Sequence, residues 1–138
     1  MAAAAEGGGG FAPRSVLVTG GAGFIGSHVV DRLLARFPAA RVTVLDNLSY
    51  CASLNNLAGL AERFPRYKFV RGDITSADLV AYVLETERID CVLHFAAETH
   101  VDNSFGTSFA FTNTNVLGTH VLLEAAKRVA PQVRRFIH

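Results

Sequence analysis

The chain has 138 residues, is half hydrophobic and carries a formal net charge of +1. That length and composition fit one domain with a sizeable core. The near-neutral balance, with no basic stripe on any one segment, argues against nucleic acid as a partner. The apolar runs are strand-length, too short to cross a bilayer.

Residues 1–13 begin Ala-rich and turn Gly-rich, with Glu6 between, and are expected to form a disordered tail. They have neither the basic start and long apolar stretch of a secretory signal nor the arginines of a mitochondrial presequence. The two cysteines, Cys51 and Cys91, make no disulfide framework. A cytoplasmic location is the expectation that follows.

From Ser15 onward strand and helix patterns alternate, which predicts βαβ units and a parallel sheet. Strands are expected at Ser15–Thr19, Arg41–Asp46, Tyr67–Arg71, Cys91–Phe95 and Arg135–His138. The first helix is expected from Ser27 to Phe37, where Pro38 helps end it. A short helix is expected between Leu48 and Pro65, and another over Ala77–Glu87 with Leu79, Val80, Val83 and Leu84 on one face. The last runs from Ser108 to about Ala130, with Phe109, Thr112, Val116, Leu123, Ala126 and Ala130 as its inward stripe. Right-handed crossovers then give the order 3-2-1-4-5 in a Rossmann-type, doubly wound α/β sheet. The winding reverses between the first and fourth strands, where an open α/β sheet binds its ligand.

The first strand runs directly into Thr19-Gly20-Gly21-Ala22-Gly23-Phe24-Ile25-Gly26. Gly21, Gly23 and Gly26 have G-x-G-x-x-G spacing, and Gly20 adds the T-G-x-x-G-x-x-G variant. Glycines permit the tight turn and bring bare backbone close to a phosphate, and the last lets the helix pack closely. The helix then aims free N–H groups at that phosphate. Asp46 ends the second strand, 20 residues past Gly26, where a carboxylate accepts hydrogen bonds from an adenosine ribose. The pattern therefore predicts a dinucleotide site. Asp46 also repels a 2′-phosphate, and no arginine stands near it to bind one, so NAD is preferred to NADP.

The other side of the reversal carries His94-Phe95-Ala96-Ala97-Glu98-Thr99-His100-Val101-Asp102. With Asp46-Asn47-Leu48-Ser49-Tyr50, Gly72-Asp73-Ile74 and Thr114-Asn115-Val116-Leu117-Gly118-Thr119, this passage resembles the extended short-chain dehydrogenase/reductase family. Within it the similarity is greatest to the dTDP-D-glucose 4,6-dehydratase group, over Arg14 to His138.

The resemblance implies that Gly20, Gly23, Phe24, Ile25 and Gly26 lie at the pyrophosphate. Asp46, Asn47 and Ser49 would surround the ribose, and Asp73 and Ile74 would meet the adenine. Phe95, Ala96, Ala97 and Thr114 would lie along the rest of the cofactor, with Thr99 and Asp102 on the hexose. Residues 14–138 would then be an NAD-binding domain, incomplete at its C-terminal side, from an enzyme that acts on a nucleotide sugar. It would pair as a homodimer through helix 108–130. Each residue also has a plain alternative. Asp73 after Gly72 is an ordinary turn residue, Asp102 a loop or capping aspartate, Thr99 a solvated hydroxyl, and Ala96 and Ala97 core. His94, His100 and Cys91 complete no ligand set at a known metal spacing, and no metal is expected.

The family's proton transfer uses a Tyr-x-x-x-Lys pair. Here Tyr50, Tyr67 and Tyr82 are followed at that spacing by Leu54, Arg71 and Thr86, and Lys68 and Lys127 are preceded by Phe64 and Leu123. The family's Asp-Glu pair for water elimination is also missing. No catalytic residue is therefore assigned, and the chain alone is expected to be inactive, since each such role carries a rate factor of about a hundred or more. A non-catalytic NAD-binding or dimerising module remains the alternative, as does part of a nucleotide-sugar 4-epimerase or decarboxylase. Thr99-His100-Val101-Asp102 disfavours the last two.

Overall fold

A computed structural model describes residues 10–99, 106 and 108–138. Five parallel strands, β1 (Ser15–Thr19), β2 (Arg41–Asp46), β3 (Tyr67–Arg71), β4 (Cys91–His94) and β5 (Arg135–Ile137), form one sheet in the order β3-β2-β1-β4-β5. This is the expected order, and the strand bounds agree to within a residue.

The central strand β1 is buried along its whole length, and the side-chain period of two divides it between two cores. Val16 and Val18 join Val42, Val44 and Cys91 beneath Val30 and Leu34 of helix α1 (Phe24–Arg36), with Leu57 and Leu60 beside them. Leu17 joins Leu45 and Val92 on the opposite face. There it meets Val80, Val83 and Leu84 of α3 (Ala77–Thr86) and Leu122 and Ala125 further along the chain. Each face is therefore covered by helices, as parallel strands with near-continuous apolar runs require.

The 48–65 connection, where one short helix is expected, holds a 3-10 turn (Leu54–Leu57) and the short α2 (Leu60–Arg63). Helix α1 starts at Phe24 rather than Ser27, so Phe24, Ile25 and Gly26 form its first turn. Phe11, in the stretch expected to be a tail, packs partly buried against the first core, with the Arg134 guanidinium 4.8 Å from its ring centre.

The last long helix departs most from expectation. It is three pieces: α4 (Ser108–Phe111), a π-helical segment (Thr112–Gly118) and α5 (Thr119–Arg128). The side turned to the sheet carries Gly118, Leu122 and Ala125. The stripe expected to point inward instead points out: Phe109 is 82% exposed and Val116 64%, and Thr112, Leu123 and Ala130 are also exposed, with Ala126 only half-buried. The element is apolar on two sides, and periodicity alone cannot say which one meets the sheet.

Candidate cofactor cleft

At the carboxyl ends of the strands, where β1 and β4 diverge in chain order, a cleft of about 310 Å³ opens between two walls. Gly20, Gly23, Phe24, Ile25 and Gly26 line one side, with Asp46, Asn47, Ser49, Asp73 and Ile74. Phe95, Ala96, Ala97, Thr99 and Thr114 line the other. The structure thus brings every residue named for the cofactor, and Thr99, into one cavity. Asp102, named for the hexose, lies outside the described residues. Cys51, Ala52 and Glu98 also line the cleft and went unassigned from sequence. Cys51 and Ala52 arrive because the 49–57 loop is tied to the glycine turn, with the Ser53 N–H and the Asn56 side-chain amide donating to the Ala22 carbonyl. No local pattern announces that contact.

The glycine wall is a packing solution. Gly20 has a φ of +68°, and a Cβ there would lie 2.6 Å from the Ala96 nitrogen, so glycine serves both the turn and the close approach of the two walls. A Cβ on Gly26 would lie 2.2 Å from the Gly20 carbonyl oxygen. The last glycine thus lets α1 press on the turn itself, whereas Gly21 is the one that meets strand β2, through Val44. No side chain caps α1 at Gly23. Helix geometry leaves the N–H groups of Phe24, Ile25 and Gly26 without intrahelical acceptors, and the positive end of the helix dipole faces the cleft.

Asp46 is 6% exposed and is committed to structure on both oxygens. Oδ2 accepts from the Ala22 N–H at 2.9 Å and Oδ1 from the Leu48 N–H at 2.8 Å. It joins the end of β2 to the turn, and each oxygen keeps a lone pair for a ligand hydroxyl. Asn47 donates to Asp73 Oδ2 at 3.1 Å, and Asp73 Oδ1 accepts from the Thr75 N–H and hydroxyl at 2.8 and 2.7 Å. Partial burial by itself raises the Asp73 pKa, but the bonds from Thr75 and Asn47 together outweigh it and hold the carboxyl below its ordinary value. Among the described residues, Asp46, Asp73 and Glu98 are the charged groups lining the cleft, with no lysine or arginine among them.

Behind the second wall His94 is 4% exposed, with both ring nitrogens engaged. Nδ1 lies 2.7 Å from the Thr19 hydroxyl, and Nε2 lies 2.9 Å from the Thr119 hydroxyl. The Thr119 hydroxyl donates to the Asn115 carbonyl at 2.7 Å. It must therefore accept from Nε2–H, leaving Nδ1 to accept from Thr19. Burial, reinforced by the nearby His138, lowers the His94 pKa to about 4, so the ring is neutral near pH 7. Cys91, on the same strand, is a buried thiol pushed up to about 11 by burial and by Asp90, and is inert as a nucleophile or ligand. Among the described residues no three His, Cys, Asp or Glu side chains gather as a metal site. Nor is any helix there long and apolar enough to cross a membrane.

Comparison with known proteins agrees with this arrangement. The family profile described as GDP-mannose 4,6 dehydratase matches residues 17–138. An Arabidopsis thaliana trifunctional UDP-glucose 4,6-dehydratase/UDP-4-keto-6-deoxy-D-glucose 3,5-epimerase/UDP-4-keto-L-rhamnose-reductase is 58% identical over 128 residues, 93% of this chain and 19% of that protein. The human dTDP-D-glucose 4,6-dehydratase is 52% identical over 130 residues, 94% of this chain and 36% of that protein. The chain thus spans about a fifth to just over a third of these relatives. Among solved structures, a Streptomyces venezuelae dTDP-glucose 4,6-dehydratase with NAD bound superposes with a TM-score of 0.81 at 48% identity, covering 90% of this chain and 38% of that one. A Thermotoga maritima UDP-glucose 4-epimerase reaches a TM-score of 0.77 at 34% identity, covering 88% and 36%. The fold is thus common to dehydratases and epimerases. The chain belongs to the GDP-mannose 4,6 dehydratase family.

Proposed function

We propose that this chain is the NAD-binding part of a nucleoside-diphosphate-glucose 4,6-dehydratase, with residues 14–138 as its cofactor domain, working in the cytoplasm. The observation that carries the reading is the uncapped start of α1, whose free N–H groups open into a cleft that, among the described residues, no lysine or arginine lines. A pyrophosphate there is bound by backbone N–H groups and the helix dipole. The glycine positions fit the group, because a Cβ at Gly20 or Gly26 would displace the backbone that forms the cradle. Asp46, Asn47 and Ser49 would take ribose hydroxyls, and Asp73 and Ile74 would meet the adenine; all five line the cleft. Ala96 and Ala97 leave room beside Phe95 and Thr114 for the remainder of the dinucleotide. A 2′-phosphate would face Asp46 and Asp73 with no cation among the described residues of the cleft to offset them, which favours NAD over NADP. When bound, NAD supplies the hydride acceptor and donor for oxidation at C4 and reduction at C6 of the hexose, on either side of the loss of water across C5 and C6. Thr99 and Asp102 would hold the hexose hydroxyls. No residue of the 138 is assigned the proton transfers, and no Tyr-x-x-x-Lys pair is present to perform them.

Calorimetric titration tests the cleft. NAD is expected to bind at least tenfold more tightly than NADP, and absence of binding by both would overturn the reading. Incubation of the chain and NAD with dTDP-glucose or UDP-glucose is expected to yield no 4-keto-6-deoxy product. Turnover by the pure chain would refute its assignment as a cofactor cradle alone. A pairing role for the 108–130 helix is favoured by the outward Phe109, Val116, Leu117 and Leu123, an apolar face of the kind that interfaces cover.

A further inference from the structure

The Phe95–Thr99 wall is a loop bonded at its outer end to the π-helical segment and at its inner end to Thr19 of β1, whose carbonyl accepts from the Phe95 N–H at 3.0 Å. That inner end reaches the residue after the π-helical segment only through Thr19 and His94. At its outer end the Glu98 N–H donates to Asn115 Oδ1 at 2.8 Å and the Asn115 amide donates back to the Glu98 carbonyl at 3.0 Å. At its inner end the Ala96 N–H donates to the Thr19 hydroxyl at 3.3 Å, Thr19 to His94, and His94 to Thr119. The Thr119 hydroxyl closes the circuit on the carbonyl of the same Asn115. π-helical turns free a carbonyl from its usual partner and occur at functional sites. Here that turn places an asparagine side chain and its own carbonyl on two different anchors.

From this circuit, and resting on the dinucleotide reading above, we propose that His94 and Asn115 are positioning residues for the cofactor. They touch no ligand, but they set the distance between the Ala96–Ala97 wall and the glycine turn. Gly20 packs so closely on Ala96 that this separation has little slack. The direction of the inner bonds depends on a neutral ring. A proton added at Nδ1 would face the Thr19 oxygen that already accepts from Ala96, forcing the Thr19 hydroxyl hydrogen to leave the chain. The other groups against the ring are the Phe136 edge and the stacked His138, with ring centres 6.3 and 4.9 Å away.

The test compares the parent chain with His94→Leu, His94→Asn, Asn115→Ala and, as a control of general destabilisation away from the cleft, Val83→Ala. NAD affinity, amide hydrogen exchange at Ala96 and Glu98, and the His94 ring nitrogen shifts are measured on each folded protein. His94→Leu and Asn115→Ala are expected to weaken NAD about tenfold and to speed exchange at the amide each one anchors. His94→Asn keeps an acceptor near the Nδ1 position and is expected to stay within about threefold of the parent. Val83→Ala is expected to leave both readouts near the parent. The parent ring should show the neutral Nε2–H form. The proposal is overturned if both anchor variants bind NAD like the parent, if Val83→Ala loses as much affinity as they do, or if the ring carries its proton on Nδ1. Should His94→Leu not fold, Asn115→Ala decides. Should the parent not bind NAD, the cofactor reading fails, while unchanged exchange at Glu98 in Asn115→Ala would separately overturn the anchoring.

Discussion

The glycine wall of the cleft is shaped by residues adjacent in the chain, Gly20 to Gly26, whereas the Phe95–Thr99 wall hangs on side chains 17 to 77 residues away. The first is a backbone device: its turn, its free N–H groups and the start of α1 follow from missing Cβ atoms. The second is a side-chain device whose bonds exist only once β1, β4 and the 112–119 segment have met. Mutation should therefore act differently on the two. Crowding breaks the first, and loss of a polar partner or a change of protonation breaks the second. Asp46 lies between these cases, a side chain from β2 that holds the glycine wall by two backbone N–H groups.

Four measurements sharpen this contrast. The largest effect is expected from Gly26→Val, whose Cβ would lie 2.2 Å from the Gly20 carbonyl. The turn and α1 cannot both stay in place, and a loss of about 3 kcal/mol or more is expected from denaturant unfolding. A variant as stable as the parent would mean that the turn is not a close-packed device.

Acid comes next. The His94 pKa falls from 6.5 to about 4 in the folded chain, so between those values the unfolded state binds the extra proton. Stability from this group is complete above pH 6.5 and is lost as pH falls towards 4. At about 1.4 kcal/mol per pH unit the loss reaches about 3 kcal/mol. Urea midpoints measured across this range should show a fall that is absent from His94→Asn. Parallel profiles for the two proteins would show that the second wall carries no buried neutral imidazole.

Asp46→Ala leaves the Ala22 and Leu48 N–H groups without their acceptor, and a cost of about 2 kcal/mol is expected, with NAD affinity falling in step. Retained affinity in a destabilised protein would assign Asp46 to the turn alone. The smallest effect on folding belongs to Phe109→Ser, outside both walls. Phe109 is 82% exposed, so unfolding free energy should change by no more than about 0.5 kcal/mol. Sedimentation should show less self-association, and an unchanged association state would argue against pairing through this face.

Much of the cleft was legible in the sequence because its parts are local and chemically unusual. A strand ending in Thr19, closely spaced glycines and an acid at the end of the next strand leave few other uses for those residues. The second wall could be named only through resemblance, since Ala96, Ala97 and Thr99 have no pattern that sets them apart from core or loop. Glu98 and Cys51 escaped notice for the same reason. His94 was weighed as a metal ligand, and its use as a neutral hydrogen-bond bridge needed Thr19 and Thr119, separated by a hundred residues, to be seen on either side of it.

By itself the sequence determined the strands, their order and the place of the cleft, because period-two apolar runs, right-handed crossovers and glycine spacing are all short-range constraints. Only the tertiary structure decided which face of the 108–128 region meets the sheet. Leu122 and Ala125 are buried there, while Phe109 and Val116 remain outside. Both faces are apolar, so hydrophobicity does not separate them. The choice rests on close packing: Gly118 lets the segment approach Ile74, where a Cβ would lie 2.5 Å from its Cδ1. That approach brings Asn115 and Thr119 to the bonds that hold the second wall.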